Sequence, residues 1–231
     1  MHTLGIVGGI GPESTIDYYR QLVARLTERA GPEGAPDILI NSLQVQRMVA
    51  LATAGDWDAV TRYLSEALAA LARAGATLGL IAANTPHVVF DAVAAASPIP
   101  LVSIVVATRD AAKARGLRRL GLIGTRFTMS SRFYPDVFAT MNLEIVAPAP
   151  ADLDFVHSRY VGELLHNQFL PETRDEVVRI VERMREQEGI DGIILGGTEL
   201  PLLLRGAIDP AFPVLDTTQI HVEAAVDRLL R

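Results

Sequence analysis

The chain has no cysteine. That removes disulfides, thiolate metal sites and thiol catalysis before any motif is read. Lysine is almost as scarce. Among 21 basic residues only Lys113 is a lysine, and with Ala, Gly and Arg abundant this reads first as compositional bias. A basic excess is missing too. The net charge is −6 and the pI about 5.4, which argues against nucleic acid as a partner, because phosphate contacts need a positive surface. No apolar run approaches the roughly 20 residues needed to span a bilayer, and no basic segment precedes the first apolar stretch. These absences predict a soluble cytoplasmic protein with neither a membrane nor a nucleic-acid partner.

What is present is an ordinary globular composition. At 49% hydrophobic and 6% aromatic, 231 residues suffice for one large α/β domain or two of roughly 100 residues each. Short apolar runs alternate with amphipathic stretches along the whole chain, which predicts a parallel sheet in each half. Val60, Leu64, Leu68 and Leu71 recur at helical spacing in 56–74, and 216–230 reads as an amphipathic closing helix capped by Asp216 or Thr217.

The stretch that organises the rest is Leu80–Asp91. An apolar run ends there in Ala83, followed by the polar Asn84-Thr85-Pro86 and a helical pattern that opens with His87. The device recurs where Gly192–Gly196 runs into Gly197-Thr198-Glu199-Leu200-Pro201, and again where 119–123 runs into Gly124-Thr125 and Thr128. In open parallel sheets, ligands sit off the carboxyl ends of strands, where helix N-termini offer unpaired N–H groups. Two related halves facing one cleft are therefore expected. The Gly8-Gly9-Ile10-Gly11 turn is only superficially a dinucleotide loop: its third glycine is misplaced and no acidic ribose reader follows.

Taken together these residues resemble the aspartate/glutamate racemase family. The 83–85 and 197–199 segments are similar to that family's Cys-Asn-Thr and Gly-Cys-Thr-Glu motifs. Gly8-Gly9-Ile10-Gly11-Pro12-Glu13-Ser14-Thr15 with Tyr18-Tyr19 matches a third motif, and Gly124-Thr125-Arg126-Phe127-Thr128-Met129 and Glu163 extend the likeness over essentially the whole chain. The resemblance implies an α/β fold of two pseudo-symmetric three-layer α/β/α halves with parallel sheets. Residues 1–100 and 101–215 would form the halves, with helix 216–231 packing back on the first. It also implies a homodimer, no cofactor or metal, and a small acidic amino acid bound between the halves. Gly9, Ser14, Ser42, Arg47, Asn84, Thr85, Thr125, Thr128 and Thr198 would line that site. Arg47 would clamp the distal carboxylate, although an exposed helix-start arginine is the more ordinary reading. Glu163 reads more simply as a surface glutamate on a helix.

The departure from the family is chemical. Racemisation removes a weakly acidic Cα proton and returns one to the opposite face, which takes a base and an acid. The family supplies two thiols; Ala83 and Gly197 supply a methyl and a hydrogen, so the two-thiol route is closed. The remaining candidate acid/base groups are His87 and Glu199, with Thr85 and Thr198 requiring strong activation. Three readings stay open: an isomerase using other groups, a lyase or decarboxylase needing a single proton donor, and a non-catalytic dicarboxylate-binding protein. The motifs also predict that replacing Ala83 and Gly197 together by cysteine restores racemisation of aspartate or glutamate.

Overall fold

The central strands are short apolar runs, Thr3–Gly8, Arg119–Gly124 and Gly192–Gly196 ending in glycine, and the chain forms two separate parallel sheets. The computed structural model describes every residue except Met1 and Pro32. Contacts divide the chain into two units, Met1–Ala107 with Thr218–Arg231, and Thr108–Thr217. The sequence pattern places the boundary near residue 100, within a hinge at 96–105. The contact division lies between Ala107 and Thr108, inside a helix whose first turn is tied to the first unit by Ile104, the N–H of which donates to His87 Nε2 at 3.3 Å.

The first unit runs β1 (Thr3–Gly8), α1 (Pro12–Ala30), β2 (Asp37–Ser42), α2 (Val45–Thr53), α3 (Trp57–Arg73), β3 (Leu78–Ile81), α4 (Phe90–Ala96), β4 (Leu101–Val102) and the start of α5 (Ile104–Ala114). The strand order is β2-β1-β3-β4, all parallel. Alternation along the strands decides which helix each residue meets. Leu4, Ile6, Leu78 and Leu80 pack with Tyr18, Leu22 and Leu26 of α1. Val7 and Ile81 point the other way, onto Val60, Leu64, Leu68 and Leu71 of α3. The sheet is thus sandwiched between helices. Each large side chain fully buried this way contributes about 1.5–3 kcal/mol. Pro12 and Glu13 suit the first turn of α1, and Asp56 caps α3 by accepting the Ala59 N–H at 2.9 Å.

The second unit continues with β5 (Arg119–Gly124), α6 (Arg126–Ser130), α7 (Phe133–Ala139), β6 (Glu144–Val146), α8 (Pro150–Gly162), α9 (Pro171–Glu188), β7 (Gly192–Gly196), α10 (Leu200–Leu203) and β8 (Val214–Asp216). Its order, β6-β5-β7-β8, repeats that of the first sheet, again all parallel. Ile123, Ile193 and Leu195 pack with Val156 and Tyr160 of α8 and with Val177, Ile180, Val181 and Met184 of α9. Leu120, Leu122 and Ile194, on the alternate register, are fully buried as well.

The closing helix, α11 (Thr217–Leu229), places Val222, Ala225, Val226 and Leu229 in the cluster that holds α1. At its start the Thr217 hydroxyl donates to the Leu195 carbonyl on β7 at 2.7 Å. No helix among the described residues is long and apolar enough to cross a membrane.

Candidate functional site

In each sheet the chain leaves the two central strands in opposite directions: β1 towards β2 and β3 towards β4, then β5 towards β6 and β7 towards β8. A parallel sheet opens a crevice at such a reversal, off the carboxyl ends of the two strands. The registers Val7↔Ile81 and Gly124↔Gly196 place Gly8-Gly9 beside 82–85, and Gly124-Thr125 beside 197–199. Every strand-end motif singled out in the sequence therefore sits at a switch point of its own unit.

At the end of β1, Gly9 has φ 76°, and a Cβ there would come within 2.5 Å of Ser42 Oγ and 2.7 Å of the Leu43 nitrogen. Only glycine fits. The Gly9 N–H donates to Thr15 Oγ1 at 2.8 Å, and that hydroxyl donates in turn to the Gly11 carbonyl at 3.1 Å. Thr15 is thus engaged in holding the loop, while Ser14 is fully buried at the start of α1. Ser42 is exposed at the end of β2. Arg47 is exposed on α2, its guanidinium 4.2 Å from the centre of the Tyr63 ring.

At the end of β3, Ala83 and Asn84 are buried, Thr85 is partly exposed, and the chain enters a 3₁₀ turn, Thr85–Val89, before α4. Ala83 packs with Val7, Ile10, Ile81 and Val93. His87 is buried and stacked on Phe90 at 4.9 Å. Its Nδ1 lies 2.9 Å from the Ala83 carbonyl, which can only accept, so Nδ1 carries the proton and Nε2 accepts the Ile104 N–H. Burial, and secondarily the nearby His221, pushes its pKa down to about 3. With both nitrogens bound inside the protein and the ring neutral, His87 ties β3 to the start of α5. It is not placed to exchange a proton. His221 is closed in the same way, donating from Nε2 to the Val102 carbonyl and accepting at Nδ1 from the Tyr18 hydroxyl, both at 2.9 Å. Burial lowers its pKa to about 4.

In the second unit Thr125 caps α6, accepting the Thr128 N–H at 3.3 Å with the two hydroxyls 3.2 Å apart. Beyond β7, Gly197 is not in the left-handed region, so its backbone would accept any residue. Space is what excludes a side chain. A Cβ at 197 would lie 2.8 Å from both Cζ and Oη of Tyr160, and closer still to Cε2. The phenol therefore fills the place into which a side chain at 197 would project. Its hydroxyl donates to Glu199 Oε2, and Thr198 Oγ1 donates to the same oxygen at 3.2 Å. All three residues are no more than 4% exposed. Burial, reinforced by the adjacent Glu199 charge, holds the Tyr160 phenol well above its ordinary pKa.

Tyr160 was not a sequence candidate. It stands on α8 at core spacing with Val156, and nothing local marks it as anything but packing. Glu163 is not a surface glutamate: it is 7% exposed at the end of α8, bonded by Arg159 Nη1 and by the Thr173 hydroxyl, each at 2.6 Å. Among the described residues no three His, Asp or Glu side chains are grouped to hold a metal ion.

Comparison with known proteins joins this geometry to a family. The family model described as Asp/Glu/Hydantoin racemase matches residues 7–225. A glutamate racemase from Parafrankia sp. (strain EAN1pec) is 36% identical over 148 residues, covering 62% of this chain and 51% of its own. The chain thus spans about half the length of that relative. Among solved structures, a proposed Asp/Glu racemase from Yersinia pestis superposes with a TM-score of 0.88 at 34% identity, covering 100% of both chains. An aspartate racemase homologue from Pyrococcus horikoshii OT3 gives 0.83 at 34% identity, again over 100% of both. With the family match running over nearly its whole length, the chain belongs to the Asp/Glu/Hydantoin racemase family.

Proposed function

We propose that this protein is a cofactor-independent isomerase of the racemase type whose ligand is a small acidic amino acid. The observation that supports it most is the placement of 82–85 and 197–199 at the switch points of two sheets with the same strand order. In the first unit Asn84 and Thr85, with the backbone N–H groups at that strand end, would hold the α-carboxylate and amine; in the second unit Thr198 stands at the corresponding strand end. Ser42, the last residue of β2, and Arg47, in the first turn of α2, would meet the distal carboxylate, for which an arginine fork is well shaped. Gly9 and Ser14 shape the adjoining loop, and Thr125 and Thr128 brace the corresponding turn of the second unit. The working form is a cytoplasmic homodimer, and sedimentation velocity at micromolar concentration should show a dimer.

Titration calorimetry with L- and D-aspartate and L- and D-glutamate tests the reading. Saturable binding of at least one of the four, with turnover detected as change at Cα in heavy water, is the expected result. If none of the four binds to the folded protein, the proposal fails.

A further inference from the structure

We infer that Tyr63 is a positioning residue for Arg47, and that the preference for an amino acid with a second carboxylate runs through this pair. This rests on the reading above that Arg47 meets a distal carboxylate. Both residues belong to the first unit. The Leu43 N–H donates to the Gly8 carbonyl at 2.9 Å, so the chain that leads into α2 leaves the sheet beside Gly8-Gly9, at the same strand ends as 82–85.

One side chain on α3 touches the start of α2 twice. The Tyr63 ring lies under Arg47, its centre 4.2 Å from the guanidinium carbon, and the Tyr63 hydroxyl accepts the Gln44 N–H at 3.1 Å. Gln44 is the N-cap of α2 and makes no side-chain cap bond, so the tyrosine fastens the turn that carries Arg47 as well as the guanidinium itself. The two helices are not equally well held. α3 is capped by Asp56 and buries Val60, Leu64, Ala67, Leu68 and Leu71, whereas the nine residues of α2 bury Met48 and Ala52. The firmer helix orients the looser one.

Among the described residues three arginines lie over aromatic rings. Arg159 and Arg185 also pair with carboxylates, Glu163 at 2.6 Å and Asp209 at 3.5 Å. Arg47 pairs with no described carboxylate, and the first turn of α2 contains no acidic residue. An exposed arginine without a partner samples many rotamers. A ring that attracts the cation without neutralising it restricts that freedom and leaves the charge for an acid supplied by the ligand.

Calorimetry with aspartate against asparagine, and glutamate against glutamine, isolates the distal carboxylate. The proteins compared are the parent, Tyr63→Phe, Tyr63→Leu, Tyr63→Gln, Arg47→Ala and the double variant Arg47→Ala/Tyr63→Leu. Tyr63 is half-buried on the helix surface, so two ringless variants of different polarity are expected to fold, as a melt checks. The preference for acid over amide, taken as a ratio of Kd values, should fall about two- to fivefold in Tyr63→Leu and Tyr63→Gln. Tyr63→Phe keeps the ring and should retain more of the preference than either. Once Arg47 is alanine, Tyr63→Leu should change the ratio no further. An unchanged ratio in a folded ringless variant overturns the inference, as does an equal fall in the Arg47→Ala background. If the parent binds an acid and Arg47→Ala leaves the ratio unchanged, the inference falls and the functional reading stands. If the parent binds neither acid, both fall together.

Discussion

Replacing Gly197 by alanine adds one methyl group at a site whose backbone tolerates it, so any cost must come from Tyr160. The new Cβ would sit 2.8 Å from Cζ and Oη of the ring, against an ordinary carbon contact of about 3.5–4 Å. Tyr160 is buried among Val156, Ile180 and Leu195, which leaves the ring little room to retreat. Overpacking of this kind costs about 1–3 kcal/mol. Moving the ring also loosens its bond to Glu199, and hydrogen bonds to charged groups are worth about 1.5–3 kcal/mol. A net loss of about 2–4 kcal/mol follows, since the two costs share one displacement and do not simply add.

Urea unfolding of four proteins measures this: the parent, Gly197→Ala, Tyr160→Ala and the double variant. In the Tyr160→Ala background the methyl enters vacated space, and its cost should shrink to within about 0.5 kcal/mol of zero. An equal cost in both backgrounds, or none in the parent, would refute the packing argument. One consequence reverses the expectation from the motifs. Cysteine at 83 and 197 together should not restore a racemase, because the thiol at 197 meets the phenol; restoration should require Tyr160 to be shortened as well.

Acid should destabilise the fold through its two buried histidines. Both have folded pKa values, about 3 for His87 and about 4 for His221, below the ordinary 6.5. Between those limits the unfolded chain binds the extra protons. Their contribution is therefore complete above pH 6.5 and declines as pH falls towards 4, by up to about 1.4 kcal/mol per pH unit for each ring. His221→Gln should flatten the pH dependence of the urea midpoint over that window, and an unchanged slope would contradict the assignment. Tyr18→Phe removes the hydroxyl 2.9 Å from His221 Nδ1 and should cost about 1–3 kcal/mol in the same assay; an unchanged midpoint would contradict this. Arg47→Ala should weaken aspartate or glutamate binding roughly tenfold or more, the value of one charge-assisted contact, with stability nearly unchanged; equal affinity in calorimetry removes Arg47 from the site.

Most of the architecture was legible in the residues because it depends on local period. Apolar runs such as 4–7, 78–82 and 120–123 read as buried strands, and Val60, Leu64, Leu68 and Leu71 mark one face of a helix in any context. The strand ends were legible too, since Gly8-Gly9, Asn84-Thr85 and Gly197-Thr198 are small or polar steps that directly follow apolar runs. What those positions can do was decided by tertiary contacts between residues far apart in the chain. His87 looked available beside Asn84, until packing brought the Ala83 carbonyl and the Ile104 N–H to its two nitrogens. Glu163 looked like surface until Thr173 and Arg159 closed over it. Gly197 looked like a bare loss of a thiol, yet folding puts the Tyr160 ring into the space the glycine vacates and aims its hydroxyl at Glu199. Periodicity reports which face of an element is buried; it carries no information about which side chain of another element arrives there.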